Sequence, residues 1–313
     1  MKALLFIETK GEKVLGGSLE LISAAKTLDA EITALVVGDR AAADTVAAFG
    51  AEVIFVDASK NCCDTLTEVL TKTVKEVNPD IVLLANTAFA KDMAPRLGAR
   101  MNFGCVSDVV GISKADGKIV YTRPAYGGTI LEKIEVEGTP VVTVRSGSFS
   151  KPEATSSASV TEKTVEISAE AIKAKIVDAV KEISESVNLE EAQVIVAGGR
   201  GMGSAENFEL VKELASVLGG VVGATRPPIE DGWISRAHQV GQSGKIVAPK
   251  LYIACGISGA TQHTSGITGA DYIVAINKDE DAPIFEVANL AIVGDVTEIL
   301  KGMIEEMKKI KAE

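Results

Sequence analysis

The first hundred residues alternate short apolar runs with longer amphipathic stretches. Four apolar runs predict β-strands: ALLFIE (3–8), ITALVV (32–37), EVIFVD (52–57) and DIVLLA (80–85). Between them, LELISAAKTL and DTLTEVLTKTVKEV repeat apolar residues at the spacing of one buried helix face. Because strands that alternate with helices are typical of βαβ units, this part of the chain predicts a largely parallel sheet.

The pattern changes in the next segment. Residues 114–145 (KADGKIVYTRPAYGGTILEKIEVEGTPVVTVR) combine the pair Asp116-Gly117 with alternating apolar and polar positions, and both features predict antiparallel hairpins. Residues 146–160 are rich in Ser, Pro and Ala and predict a surface crossing or linker. Residues 169–188 fit a helix and a strand equally well, so both remain open.

A second alternation begins near residue 193. It predicts the strands VIVAGG (194–199), GVVGA (220–224), KLYIACG (250–256), DYIVAINKD (271–279) and LAIVGD (290–295), and the helices SAENFELVKELASVL (204–218) and VTEILKGMIEEMKKI (296–310). A length of 313 residues is too great for one ordinary core. We therefore expect an α/β protein of two domains, 1–190 and 191–313.

Composition excludes several classes of function. The formal net charge is −11 and the basic residues form no cluster, so we expect no nucleic-acid partner. No apolar run approaches the roughly 20 residues of a membrane span. The chain has four cysteines without a CxxC pair and only two histidines, so no metal site is indicated. The early charges after the start favour a first strand over a signal peptide, and we expect a cytoplasmic location.

The loops that follow the strands of the second half carry the candidate chemistry. In an open parallel sheet, ligands bind at the carboxyl ends of the strands. The loop GGRGMGSAEN (198–207) has four glycines, which predicts close approach of backbone N–H groups to a ligand and a helix start suited to a phosphate. Ser204 stands where a GxGxxG motif needs its third glycine. A tight turn with Ser204 as the helix cap is the alternative.

The next loop, TRPPIEDGW (225–233), begins with a threonine and an arginine. Dinucleotide-binding Rossmann folds often place an acidic residue at this point. The two prolines behind Arg226 predict a stiff loop that holds the guanidinium in one place. A surface ion pair is the alternative for Arg226. Trp233, the only tryptophan, is better explained by packing than by stacking on a ligand.

Two further glycine-containing loops offer polar groups. In QVGQSGKIVAP (239–249), Gln242 and Ser243 lie between glycines, and Ile246 after Lys245 rules out a P-loop. In GISGATQH (256–263), Ser258, Thr261 and Gln262 offer donors. If a helix begins there, its start and the loop after residue 197 converge on a site suited to a diphosphate. His263 then lies at the edge of the loop, with a purely structural histidine as the alternative.

The segments GGRGMGSAENFELV, GATRPPIEDGW, QVGQSGKIVAPKLYIACGISGATQH and IVAINKDEDAPIFEVANLAIVGD together resemble the alpha subunit of electron transfer flavoproteins. The resemblance covers residues 193–313 closely and the first domain loosely. It implies an N-terminal α/β sheet of the nucleotide-hydrolase-like type with antiparallel hairpins, and a C-terminal Rossmann-like parallel sheet that binds FAD. We expect none of the ferredoxin-like cysteine clusters of extended forms of this subunit.

The resemblance also implies roles for individual residues. Arg200 and the 258–263 loop would meet the pyrophosphate and ribityl groups, Asn277 and Asp295 would lie toward the adenosine, and the 225–226 and 240–243 loops with His263 would surround the flavin ring. Ser243 stands where many members carry threonine and keeps the hydroxyl. The implied FAD-binding residues are Arg200, Thr225, Arg226, Val240, Gly241, Gln242, Ser243, Ser258, Gly259, Ala260, Thr261, Gln262, His263, Asn277, Asp295 and Val296.

The chemistry of these side chains agrees with electron transfer. A flavin that passes electrons singly gains negative charge near N1 and the C2 carbonyl, which a cation such as Arg226 and a donor such as His263 stabilise. A hydroxyl from Ser243 would reach N5. None of the usual constellations of a nucleophile with a general base appears in the sequence, so we expect an electron carrier without catalytic residues.

The resemblance implies an FAD-containing carrier that pairs with a beta subunit. It would accept electrons from flavin dehydrogenases such as acyl-CoA dehydrogenases and pass them to a quinone reductase or a ferredoxin-type acceptor. Three alternatives remain open: the alpha subunit of an electron-bifurcating, NADH-oxidising form, an NADP-dependent oxidoreductase with Arg226 on the 2′-phosphate, and a regulatory module that kept only the fold.

Overall fold

A computed structural model describes residues 1–58, 62–115, 117–154, 157–174, 176–177 and 188–312. The chain divides into two compact units, residues 1–180 and 181–313. Among the described residues, no helix combines the length and the apolar character that crossing a membrane requires. The open segment 169–188 begins with a short 3-10 turn, Ala169–Ala171, and residues 175 and 178–187 of it lie outside the described residues.

The first unit has strands and helices in the predicted alternation. Its strands are β1 (Lys2–Ile7), β2 (Thr9–Lys10), β3 (Lys13–Val14), β4 (Glu31–Val37), β5 (Glu52–Val56), β6 (Ile81–Ala85), β7 (Cys105–Val109), β8 (Gly111–Ala115), β9 (Lys118–Ala125), β10 (Ile130–Glu135), β11 (Val141–Val144) and β12 (Val160–Lys163). Its helices are α1 (Gly16–Lys26), α2 (Arg40–Ala47), α3 (Cys63–Val77) and α4 (Ala88–Met101).

A seven-stranded parallel sheet forms the centre of this unit, in the order β12-β5-β4-β1-β6-β11-β7. Its central strands are buried on both faces, because helices cover the two sides of a parallel sheet. Successive residues of β1 therefore enter opposite cores: Leu5 packs in one apolar cluster and Leu4 in the other. Such burial explains why the central strands read as continuous apolar runs.

The predicted antiparallel hairpins are confirmed for β8, β9 and β10, which form a separate three-stranded sheet. The prediction is wrong for Val141–Val144. This segment is β11, which pairs in parallel with β6 and β7 inside the large sheet and is fully buried. The predicted crossing 146–160 connects β11 to β12, a polar edge strand that pairs with β5. Asp116 of the predicted Asp-Gly turn lies outside the described residues.

The second unit confirms the predicted parallel sheet. Its elements are β13 (Val194–Gly198), α5 (Ala205–Leu218), β14 (Val221–Ala224), α6 (Arg226–Glu230), β15 (Leu251–Cys255), α7 (Thr261–Thr264), β16 (Ile273–Asn277), β17 (Leu290–Val293) and α8 (Val296–Ala312). The strands follow the order β14-β13-β15-β16-β17, all in parallel. Phe208 of α5 and Leu300 of α8 pack on one face of the sheet, and loop residues such as Ile267 and Ile284 pack on the other.

Candidate functional site

The strand order of the second unit reverses between β13 and β15. From β13 the chain moves to β14 on one side, and it then returns to β15 on the other side. Open parallel sheets bind ligands in a crevice at the carboxyl ends of the strands, at the point where the strand order reverses. A cavity of about 910 Å³ lies there, at the upper end of the size range of small-molecule and cofactor sites.

The residues that line the cavity carry an excess of positive charge, whereas the chain as a whole is negatively charged. Among the described lining residues, Arg200, Arg226 and Lys278 are cationic, and Asp279 is the one carboxylate. The chain as a whole carries a formal net charge of −11. A local excess of positive charge in an acidic protein favours an anionic ligand and raises its concentration near the site. The cavity is therefore suited to a ligand with phosphate groups.

Arg226 is the first residue of α6, and its side chain is 69% exposed. Its Nε lies 2.7 Å from Oε1 of Glu230, one helical turn away. Within the described part of the chain, no other partner reaches the guanidinium. The surface ion pair that the sequence left open as the alternative for Arg226 is therefore present, and Arg226 also lines the cavity.

Ser243 is exposed on the cavity wall and contacts a glutamine. The side-chain amide nitrogen of Gln239 donates to Ser243 Oγ at 2.7 Å, and the Gln239 side chain is itself buried. A hydroxyl that accepts this bond still has its own hydrogen to donate. The arrangement therefore presents a hydroxyl donor to the cavity with its oxygen fixed from behind.

His263 lies on α7. It lines the cavity, but only 6% of its surface is exposed. Its Nδ1 lies 3.1 Å from the Val240 carbonyl oxygen, and its Nε2 lies 3.0 Å from the Tyr252 hydroxyl. Burial lowers the pKa of His263 to about 4, and the bond to Val240 only partly offsets this. The ring is neutral at pH 7. The predicted donation from His263 to a ligand is not supported by this geometry, because both ring nitrogens already have protein partners.

The glycines after β13 pack the loops against each other. The Gly199 N–H donates to the Cys255 carbonyl and the Gly201 N–H donates to the Gly256 carbonyl, each at 2.9 Å. A methyl group on Gly201 would lie 2.6 Å from that Gly256 oxygen, and one on Gly199 would overlap it. The sequence interpretation, that these glycines present N–H groups to a ligand, is wrong for these two residues, because the neighbouring loop uses both groups.

The comparisons with known proteins decide the family. Residues 3–171 match the electron transfer flavoprotein domain, and residues 188–268 match the electron transfer flavoprotein FAD-binding domain. The chain belongs to the electron transfer flavoprotein alpha-subunit family. It is 38% identical to the electron transfer flavoprotein subunit alpha of Thermoanaerobacterium thermosaccharolyticum over 98% of both chains. The subunit alpha of Megasphaera elsdenii is 42% identical over 94% of this chain and 92% of that one, and that of Bacillus subtilis 35% identical over 99% and 98%.

The cavity fits the FAD that this family binds. Its volume suits an extended cofactor, and its lining residues come from the ends of four parallel strands. Because neighbouring strands lie about 4.8 Å apart, four strand ends span roughly 14 Å. The cationic lining residues suit the two phosphates of FAD, and Ser243 offers a neutral donor for a ring nitrogen. The FAD-binding domain of the family and the cavity therefore coincide in the same unit.

The structure brings most of the predicted FAD-binding residues to this one cavity. Those that line it are Arg200, Thr225, Arg226, Val240, Gln242, Ser243, Ser258, Ala260, Gln262, His263 and Asn277. Gly241, Gly259 and Thr261 lie next to lining residues in the chain.

Asp295 and Val296 are not among the lining residues. The Asp295 carboxylate accepts hydrogen bonds from the Thr297 hydroxyl and from the backbone N–H groups of Glu298 and Thr297, and these bonds cap α8 and lower the pKa of Asp295. Val296 packs in the core.

Ten lining residues are absent from the implied FAD-binding set: Gly199, Gly201, Pro227, Gln239, Gly256, Ile257, Lys278, Asp279, Ala282 and Pro283. A signal for Lys278 and Asp279 was present in the sequence. They follow β16 directly, so they lie at the same sheet edge as the predicted loops. The sequence offered no such signal for Gln239. Gln239 lines the cavity although it is largely buried, and its side-chain amide contacts Ser243.

Proposed function

We propose that this chain is the alpha subunit of a heterodimeric electron carrier and holds FAD in the cavity of its second unit. The observation that supports this most directly is the location of the cavity. It lies at the reversal of strand order, and most of its lining residues belong to residues 188–268, the part of the chain that matches the FAD-binding domain of the family. Bound FAD would supply the redox chemistry, which is the acceptance of electrons from one protein and their transfer to another.

The residues of the chain bind and orient the cofactor. Arg200 and Lys278 project from the loops after β13 and β16 and would neutralise the two phosphates. Ser243, fixed by Gln239, would donate to the ring nitrogen N5. Arg226, oriented by Glu230, would stabilise negative charge on the reduced ring. Catalytic residues are not part of this proposal, since binding and charge stabilisation account for the role of each side chain.

The proposed partner is the beta subunit. The relatives are named as subunit alpha of a flavoprotein, and the exposed Arg226, Gln242 and Ser243 leave cavity residues open to a second protein. The proposed donor is a flavin dehydrogenase such as an acyl-CoA dehydrogenase, and the proposed acceptor is a quinone reductase or a ferredoxin-type protein. We place the assembled carrier in the cytoplasm.

The first test is cofactor binding by the chain purified with its beta subunit. We expect one FAD in this cavity, and weaker retention by the chain alone. Arg200→Ala and Lys278→Ala should each weaken FAD binding by about tenfold, roughly the free energy of one charge-assisted hydrogen bond, and should leave riboflavin binding unchanged because riboflavin has no phosphate. Titration of the apoprotein, followed by flavin fluorescence, measures both.

Lys250→Ala is the matched control, because Lys250 is exposed in the same unit and does not line the cavity. Equal losses for FAD and riboflavin would contradict the phosphate role of the two cations. A colourless complex would contradict the proposed function. A second flavin, together with oxidation of NADH, would identify the bifurcating alternative, and tight NADP binding would identify the oxidoreductase alternative.

The second test concerns Arg226. We expect Arg226→Ala to lower the first reduction potential of bound FAD by about 30–60 mV, because the ring loses a nearby positive charge that is partly screened by water. The shift should shrink at high ionic strength, since the guanidinium is exposed. A redox titration measures it. Arg236→Ala, which changes an exposed arginine away from the cavity, should leave the potential unchanged. A reduction potential in Arg226→Ala equal to that in Arg236→Ala would contradict the proposed role of Arg226 in stabilising charge on the flavin ring.

A further inference from the structure

Three groups from different segments meet in the core behind the cavity. Tyr252 belongs to β15 and is fully buried, His263 belongs to α7, and Val240 belongs to the loop that carries Gln242 and Ser243. The Tyr252 hydroxyl lies 3.0 Å from His263 Nε2, and His263 Nδ1 lies 3.1 Å from the Val240 carbonyl oxygen. A continuous line of hydrogen bonds thus runs from the sheet through the histidine to the loop.

The position of each proton follows from the partners. A backbone carbonyl only accepts, so the hydrogen of the bond to Val240 must be on Nδ1. In a neutral imidazole, Nε2 is then an acceptor, and the Tyr252 hydroxyl is its donor. Burial keeps both groups uncharged, because it lowers the pKa of His263 and raises the pKa of Tyr252 well above its usual value.

Among the described residues, burial and the bond to Val240 act on the pKa of His263, and no charged group adds to them. The titratable groups near the ring are the Tyr252 hydroxyl and, beyond it, the Cys255 thiol, whose pKa burial raises to about 12. Among the described residues, none of the carboxylates forms an ion pair with His263. Imidazolium formation would therefore place an uncompensated charge in the core.

We infer that Tyr252 is a positioning residue for the cofactor loop: its hydroxyl fixes His263 as the neutral Nδ1–H tautomer, and the histidine in turn holds the Val240–Ser243 loop against α7. The part of this inference that concerns cofactor binding rests on the proposed function. His263 acts here through its hydrogen bonds to the protein and not as a positive charge on the ligand.

Other contacts also anchor this loop: the Gly241 N–H donates to the Lys245 carbonyl at 3.0 Å, and Val240 packs in the core. The Val240 N–H donates to the Ala224 carbonyl at 2.9 Å, and the Gln242 N–H donates to the Gln262 carbonyl at 2.7 Å. The second bond is again a contact with α7. A methyl group on Gly241 would lie 2.6 Å from the Gln262 carbonyl oxygen, so the loop and α7 are in direct backbone contact. The loop is therefore joined to α7 at two points, by the Gln242–Gln262 bond and by the bond from His263 to Val240.

Nitrogen NMR of histidine-labelled chain in the FAD-loaded complex tests the tautomer. The chain has only two histidines, and His238→Gln assigns their signals. We expect His263 to stay neutral down to pH 5 with its hydrogen on Nδ1. In Tyr252→Phe we expect its pKa to move up toward the ordinary 6.5, because the lost hydrogen bond stabilised the neutral ring. A wild-type ring with its hydrogen on Nε2, or an unchanged titration in the variant, overturns the inference.

Cofactor affinity tests the positioning role. We expect Tyr252→Phe to raise the dissociation constant for FAD about tenfold, because Nε2 is left as a buried acceptor without a donor. Tyr272→Phe is the matched control, since Tyr272 is an exposed tyrosine of the same unit and should bind FAD as the wild type does. Equal affinity of the two variants overturns the positioning role. Absence of FAD from the wild-type complex would defeat the proposed function, while the NMR experiment would still decide the tautomer in the apoprotein.

Discussion

Gly259→Ala is expected to destabilise the second unit by about 3–5 kcal/mol and to abolish FAD binding. Gly259 has a φ of 92°, which an alanine adopts only with strain. An added methyl group would overlap the backbone nitrogen of Ile284 and would lie 2.5 Å from its Cα. Since these are backbone atoms, no side-chain rotation relieves the overlap, and the two loops must separate. The Ser258–His263 loop forms part of the cavity wall, so separation of the two loops would change the shape of the proposed FAD site.

Urea unfolding of the full chain, followed by the fluorescence of Trp233, measures this loss. Trp233 is the only tryptophan, and it packs edge-on against Phe208 in the second unit. Two further glycines separate the causes. Gly232→Ala combines a φ of 75° with open space, so we expect a loss of about 1–2 kcal/mol from strain alone. Gly302→Ala, in open space within α8, should add about 1 kcal/mol of stability.

The three variants should therefore rank in one order of stability, with Gly302→Ala above the wild type, Gly232→Ala moderately below it and Gly259→Ala far below. A Gly259→Ala chain as stable as Gly232→Ala would show that the loops yield to the methyl group. In that case the contact between the Ser258–His263 loop and Ile284 would not be what determines the shape of the cavity.

Much of the fold could be predicted from the sequence because central parallel strands leave a simple pattern. The run IVLLA of β6 is buried at every position and reads as uninterrupted apolar residues. The same simplicity explains the error at β11. The short segment VVTV after a hairpin looks like a further hairpin strand, and only its partners β6 and β7, distant in sequence, make it parallel. The edge strand β12, with the sequence VTEK, has too few apolar residues to predict a strand.

The site was predictable as far as its location depends on topology. Loops after parallel strands meet at one edge, and this rule brought Arg200, Ser243 and Asn277 together correctly. The function of the glycines was not predictable in the same way, because close approach to a ligand and close approach to another loop require the same residue. Nor does an apolar strand reveal that Tyr252 contacts His263, since this contact depends on how α7 folds back over the sheet.

The full chain is also expected to lose stability as the pH falls from about 6.5 to 4, because of His263. The folded state holds this ring neutral with a pKa of about 4, whereas the unfolded chain takes up a proton near the ordinary value of 6.5. The unfolded state therefore binds more protons in this interval, and stability rises with pH. The contribution is complete above pH 6.5 and is lost by pH 4, with a total of about 3 kcal/mol. Urea unfolding at half-unit pH steps measures the slope.

The carboxylates of the same unit act in a lower range of pH. Asp295 and Glu206 have pKa values below their ordinary values of 3.8 and 4.5, so their contributions are lost mainly below pH 4.5. His263→Gln, which retains a donor for Val240 and an acceptor for Tyr252, should remove the slope between pH 6.5 and 4.5 and preserve the acid loss below it. His238→Gln should preserve both, because His238 donates to Val222 outside the cavity and shows no such burial. A slope that survives in His263→Gln would show that another group takes up the proton, and His263 would then not be the buried neutral residue on which the cofactor loop depends.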